Sequence, residues 1–248
     1  MSTGWPSTLW LVRHGESAGN VARDAAEAGG LAMIDIAERD MDVPLSERGE
    51  SQARAVGEWF GRMNGAGPDV VVSSPYLRAC RTAELIIETS GLDKAGVPLL
   101  VDERLREREF GILDRLTRWG ITERYPEQAE IRSRVGKFYH RPPGGESWTD
   151  VGLRVRSVLT ETRADYPDRR VLVVSHQVVL MMIRYAIERL TEKEILAISR
   201  AEELANCSVG SYELEAERPV RRLWNHVLPV AAAGETVTAE ADAPIAPR

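Results

Sequence analysis

Four short apolar runs, each closing on polar or small residues, set the pattern of this 248-residue chain. They are Leu9 to Val12, ending at Arg13; Asp69 to Val72, before Ser73 and Ser74; Val97 to Val101; and Arg170 to Val174, before Ser175 and His176. Each reads as a buried strand that opens into a loop. Helical spacing of apolar residues fills the gaps over Glu47 to Met63 behind Ser46 as N-cap, Tyr76 to Glu88 behind Pro75, Ser147 to Ala164, and Val178 to Leu190. Strand and helix alternate, which predicts an α/β fold: a three-layer sandwich with a mainly parallel central sheet flanked by helices. Cys207 to Glu215 alternates as a further strand, and Arg222 to Val227 is placed to pair with it as an edge hairpin.

Two stretches break this rhythm. Arg104 to Gly145 is rich in Arg, Glu, Trp and Tyr with weak periodicity, and is expected to leave the sheet and cover a site. From Ala231 onward, Ala, Glu, Thr and Pro cannot fill a core. The expectation is therefore one domain over residues 1–230 and a disordered tail over 231–248.

Composition narrows the partners. Apolar residues are 43% and charged residues 28%, an ordinary globular balance. The formal charge is −6, so the long-range field repels nucleic acid and anionic lipid, and an anionic ligand must be caught by a local cluster of arginines. Cys80 and Cys207 stand far apart without metal-ligand spacing, which fits reduced thiols. No stretch has the length and apolarity of a membrane span, and Met1 to Thr8 lacks the basic start and apolar run of a leader. The expected location is the cytoplasm, without membrane or nucleic-acid partners; the sequence leaves a homodimer open.

In open parallel sheets ligands bind beyond the carboxyl ends of the strands. His14, Ser74 and His176 all fall there. His14 lies in Leu11-Val12-Arg13-His14-Gly15-Glu16-Ser17, with Asn20 shortly after. An imidazole with a pKa near about 6.5 is substantially neutral at neutral pH and can attack phosphorus, while the adjacent guanidinium offsets phosphoryl charge. Arg78 begins the helix after Ser73-Ser74-Pro75, where the dipole favours an anion and its planar fork suits two phosphate oxygens. Arg81, one turn on, reads as a surface ion pair.

The Arg-His-Gly-Glu run, the Ser-Ser-Pro segment with Arg78, and Val174-Ser175-His176 together resemble the histidine phosphatase (phosphoglycerate mutase-like) superfamily. So does Pro44-Leu45-Ser46-Glu47-Arg48-Gly49, which looks like that family's Leu-Thr-x-x-Gly helix start. The similarity runs from about Leu9 to Leu190. It implies that phosphate passes through a phosphohistidine on His14 without metal or other cofactor. It further implies that Arg13, Asn20, Arg78 and His176 bind the phosphoryl group, His176 doing so most strongly as charge shifts in the transition state. Leu105-Arg106-Glu107-Arg108-Glu109-Phe110-Gly111 matches the segment carrying the proton donor. Alignment on its Leu and Gly places that role on Glu107, with Glu109 as the alternative. Gly144-Gly145-Glu146-Ser147 resembles a turn that opens a helix, its Glu and Ser acting as caps. Arg108, His140 and Arg141 are further candidates for substrate contacts, and His226 reads as structural.

Members of this family are mutases or phosphatases. True mutases continue the acid segment with a histidine and a Gln-Gly run. Here Glu109-Phe110-Gly111-Ile112-Leu113-Asp114 stands in their place, which favours hydrolysis of small phosphate monoesters. A phosphoglycerate mutase-type phosphotransferase and a non-catalytic phospho-ligand-binding protein are the alternatives.

Overall fold

The computed structural model describes residues 4–63 and 65–239. Six strands form one sheet: β1 (Thr8–Arg13), β2 (Val70–Ser73), β3 (Leu99–Val101), β4 (Arg170–Ser175), β5 (Val209–Glu215) and β6 (Arg218–His226), in the order β3-β2-β4-β1-β5-β6. β3, β2, β4 and β1 run parallel, and β5 and β6 add an antiparallel hairpin at the edge. The sheet is thus mixed, and mainly parallel as the alternating pattern predicts.

Nine α-helices are assigned among the described residues: α1 (Ala18–Ala28), α2 (Glu47–Gly61), α3 (Leu77–Ser90), α4 (Arg118–Arg124), α5 (Pro126–Val135), α6 (Trp148–Asp165), α7 (Gln177–Glu188), α8 (Glu192–Ala201) and α9 (Leu228–Ala232). Successive strand residues face opposite layers, because side chains alternate across a pleated sheet. Leu9, Leu11, Val171 and Val173 pack with α6, α7 and α8, whereas Trp10, Val12, Leu172 and Val174 pack with α2 and α3. These strands are buried on both faces, which is why they read as unbroken apolar runs.

α1 and α8 were not foreseen. Their large apolar residues are few, and only Asn20 and Ala26 of α1 and Ile195 of α8 are buried. The legible signal was at the caps: Ser17 with Asn20, and Thr191 with Glu194, each form a reciprocal capping box.

The stretch from Ala231 departs from the expected tail as far as residue 239. Val230 is fully buried beside α2, the Asn206 N–H donates to the Thr238 carbonyl oxygen, and the Gln52 amide donates to the Thr236 carbonyl oxygen at 2.8 Å. Composition missed this because these residues are held by backbone hydrogen bonds, which small side chains do not announce. The remainder of that stretch lies outside the described residues.

Candidate active site

β1, β4 and β2 are neighbours whose carboxyl ends are level, with Arg13 opposite Ser175 and Ser73 opposite Val174. That register brings the residues following each strand, His14, His176 and Ser74, to one place. The His14 and His176 rings lie 5.1 Å apart between centroids. His14 opens onto a cleft of about 130 Å³, whose floor also includes Arg13, Asn20, Arg78 and Glu107, while His176 is fully buried against His14 and is not among the lining residues.

His14 is fixed from several sides. Its N–H donates to the Ser175 carbonyl oxygen at 3.0 Å, and its carbonyl oxygen accepts from the Asn206 amide at 3.1 Å. The ring Nδ1 lies 2.7 Å from the Gly15 carbonyl oxygen. A carbonyl only accepts, so Nδ1 carries the proton and Nε2 keeps the lone pair. Burial, then the charges of Arg78 and Arg13, hold the His14 pKa well below its ordinary value. The ring is therefore neutral at neutral pH.

Close backbone packing sets the approach of this loop. The chain at Gly15 and Glu16 crosses the first turn of α2 so tightly that a Cβ on Gly49 would stand 1.9 Å from the Glu16 carbonyl oxygen, and one on Gly15 would stand 2.4 Å from that of Gly49. The Gly49 in the Leu-Ser-x-x-Gly helix start is thus required by the loop that carries His14. Glu16, buried beneath it, accepts from Ser46 and Arg48 at 2.7 and 3.1 Å.

His176 is fully buried. Its Nε2 is 2.8 Å from the Ser74 hydroxyl, which also accepts from the Tyr76 N–H at 3.2 Å. A hydroxyl has one proton and two lone pairs, so Ser74 either donates to Nε2, which puts the ring proton on Nδ1, or accepts from it. That Nδ1 is buried without a hydrogen-bond partner, 4.0 Å from Glu107 Oε2. Burial, then the Arg78 charge, then His14, lower the His176 pKa well below its ordinary value.

Glu107 and Glu109 separate clearly. Glu107 lines the cleft, and burial pushes its pKa up to about 7 even though the Arg108 N–H donates to it at 2.7 Å. Glu109 is turned outward, its side chain 47% exposed, accepting from the Tyr76 hydroxyl at 3.0 Å and lying 3.8 Å from Arg106. Two residues hold the Glu107 segment: Arg154, which was not foreseen, and Glu146, which was expected to cap a helix, whereas Ser147 and Asp150 form that cap. Arg154 donates to the carbonyl oxygens of Arg106 and Glu107 at 2.8 and 3.2 Å, and Glu146 accepts from Arg154 and Arg106.

The remaining candidates fall on both sides. Asn20 lines the cleft, with its Oδ1 accepting from the Ser17 N–H at 2.9 Å. Arg81 pairs with Glu50, Glu84 and Glu88, as a surface arginine should. Arg108, His140 and Arg141 are not among the residues lining the cleft. Arg108 is buried behind Phe110, donating to the Glu146 carbonyl oxygen at 2.7 Å, His140 is buried, and Arg141 pairs with Asp150 with its side chain 62% exposed.

The roof was only half anticipated. Residues 111–120 belong to the expected excursion, but they are joined by residues 31–43, where Met33 bridges to Leu116 and the Thr117 N–H donates to the Ala32 carbonyl oxygen. This second segment supplies Ile34, Ile36, Glu38, Asp40 and Val43 to the cleft. Among the described residues, no three His, Cys, Asp or Glu side chains group to hold a metal ion, and no helix is long and apolar enough to cross a membrane.

Comparison with known proteins agrees with this arrangement. The chain is 34% identical over 189 residues to a 2,3-bisphosphoglycerate-dependent phosphoglycerate mutase of Methylobacterium radiotolerans, covering 75% of this chain and 82% of that one. It is 30% identical over 217 residues to a probable phosphoglycerate mutase of Salmonella paratyphi C, covering 87% and 89%. Among solved structures it resembles a mycobacterial glucosyl-3-phosphoglycerate phosphatase, with a TM-score of 0.66 at 28% identity over 89% of this chain and 99% of that one. The alpha-ribazole phosphatase of Shigella flexneri shares the fold, with a TM-score of 0.70 at 20% identity over 89% and 96%. The family model for the histidine phosphatase superfamily (branch 1) matches residues 9–227, and the chain belongs to that superfamily.

Proposed function

We propose that this protein hydrolyses small phosphate monoesters through a phosphohistidine on His14. The observation that carries the reading is the Nδ1 contact of His14 with the Gly15 carbonyl oxygen, which leaves Nε2 unprotonated on a ring held neutral by burial and by Arg78 and Arg13. Arg13 and Arg78 offset the charge of the bound phosphoryl group. Nε2 attacks phosphorus, the P–N bond forms, and the P–O bond to the leaving alcohol breaks. Glu107, half protonated near neutral pH with a pKa of about 7, gives the leaving oxygen its proton. His176 donates from Nδ1 to a phosphoryl oxygen as charge builds there. Water then attacks the phosphohistidine and gives its proton to the Glu107 carboxylate, a new P–O bond forms as the P–N bond breaks, and inorganic phosphate leaves with His14 Nε2 restored.

Mutase chemistry is the second reading, favoured by the names of the relatives that share 34% and 30% identity. Both readings use the same phosphohistidine and differ in its acceptor. The test is incubation with p-nitrophenyl phosphate in EDTA, beside 3-phosphoglycerate with a bisphosphorylated primer. Release of inorganic phosphate that disappears in His14→Ala is expected. Isomerisation of phosphoglycerate without phosphate release would replace hydrolysis by transfer, and equal activity of wild type and His14→Ala would remove His14 from the reaction.

A further inference from the structure

The outer part of the cleft carries a charge pattern that the phosphoryl chemistry does not use. Asp40 reaches down from the roof to Arg78. Its carboxylate oxygens lie 3.0 and 3.3 Å from the two terminal nitrogens, and its carbonyl oxygen also accepts from Arg78. Glu38 and Asp114 line the cleft too, giving three carboxylates against two guanidiniums, Arg23 and Arg115, once the floor residues Arg13, Arg78 and Glu107 are set aside. Arg115 is committed to the roof, donating to the carbonyl oxygens of Ile36 and Glu38 at 3.0 and 2.7 Å. Arg115 also lies 3.9 Å from the Asp114 carboxylate, and Arg23 is the second cation of this outer region. The rest of the wall is apolar, formed by Ile34, Ile36, Val43, Phe110 and Val178.

We propose that Asp40 is a specificity-determining residue, selecting monophosphate esters whose alcohol carries no second negative charge and presents an apolar face. This rests on the reading of the cleft as a phosphate-ester site. Asp40 stays on Arg78 when ligand binds, holding its two terminal nitrogens and leaving the Nε edge of the guanidinium for the phosphoryl group, while its own charge repels a carboxylate or second phosphate on the leaving group. Asp114 adds less to the repulsion, because Arg115 lies 3.9 Å from its carboxylate. A leaving group with an uncharged apolar body meets no such opposition and covers the wall of Ile34, Ile36 and Phe110. On this inference phosphoglycerate, with its carboxylate, is a poor ligand.

Binding measured by calorimetry in the His14→Ala chain, which does not turn ligand over, tests this with inorganic phosphate, phenyl phosphate and 3-phosphoglycerate. Phenyl phosphate is expected to bind at least about tenfold tighter than 3-phosphoglycerate, and adding Asp40→Asn is expected to narrow that gap by about tenfold, the size of one like-charge repulsion across a partly solvated cleft. Asn keeps the carbonyl contacts to Arg78, and a general disturbance of the site would weaken both esters alike. Equal or tighter binding of 3-phosphoglycerate, or a gap untouched by Asp40→Asn, would overturn the assignment. Failure of all three ligands to bind would instead remove the phosphate-site reading and the inference with it.

Discussion

Oε2 of Glu107 and Nδ1 of the buried His176 ring stand 4.0 Å apart, beyond hydrogen-bond reach. Neither group satisfies the other, and each is driven toward its neutral form: burial raises the Glu107 pKa to about 7 and lowers that of His176. Glu107, which accepts from the Arg108 N–H at 2.7 Å, and His176 Nδ1, which has no hydrogen-bond partner, are thus held side by side near neutral pH without forming an ion pair with each other.

The first consequence is a pH profile. Transfer to His14 needs a protonated Glu107 and a neutral His14. With the Glu107 pKa about 7 and that of His14 well below its ordinary value, the single-turnover rate of transfer from an alkyl phosphate should be about half as large at pH 7 as at pH 6. It should then fall about tenfold for each further pH unit. A rate that rises through pH 8 would show that Glu107 is not the donor.

Glu107→Gln and Glu109→Gln should differ sharply. The first removes the proton donor and is expected to slow transfer from an alkyl phosphate by about 10²- to 10⁴-fold, with a smaller loss on p-nitrophenyl phosphate, whose leaving group needs little protonation. The second changes an outward-facing side chain and should stay within about threefold, since it leaves the acid in place. Steady-state kinetics on the two esters separates them, and a larger loss in Glu109→Gln would reverse the assignment.

The same burial has a cost in stability that depends on pH. The folded-state pKa of Glu107, about 7, lies above its ordinary value of 4.5, so the folded chain favours the protonated form. That contribution is fully present below about pH 4.5 and is lost as pH rises through about 7. Glu107→Gln, neutral throughout, should therefore stabilise the fold by about 1–3 kcal/mol at pH 8 and by little near pH 4.5. Thermal melts at the two pH values read this as a Tm gain of about 2–4 °C per kcal/mol, and a gain of equal size at both would point to a cause other than ionisation.

Gly49→Ala tests the crossing beneath His14. Its Cβ would meet the Glu16 carbonyl oxygen at 1.9 Å, and backbone cannot yield as a flexible side chain does. A loss of about 1–3 kcal/mol in stability is expected, together with a fall in kcat/KM because the displaced loop carries His14, the proposed nucleophile. Gly30→Ala, where an added Cβ meets nothing within 4 Å, marks the cost of a positive φ alone. Melting of the two variants side by side checks the comparison, and equal activity in both would free His14 from this contact.

The sequence by itself determined the sheet and the floor of the site. His14, Ser74 and His176 are legible because each directly follows an apolar run, and the parallel register of β1, β4 and β2 must then gather them at one edge. Arg78 is legible for the same reason, one short turn beyond β2. Only the tertiary structure shows that Glu107 and not Glu109 lines the cleft, because the segment around them has no helical or strand period to say which carboxylate faces inward. It alone brought residues 31–43 over the cleft, set Asp40 on Arg78, put Arg154 behind the Glu107 segment, and drew Arg108, His140 and Arg141 away from the cleft wall. Periodic elements write their orientation into the spacing of apolar residues, whereas irregular segments are placed by hydrogen bonds to chain far away, and those contacts leave no local pattern to read.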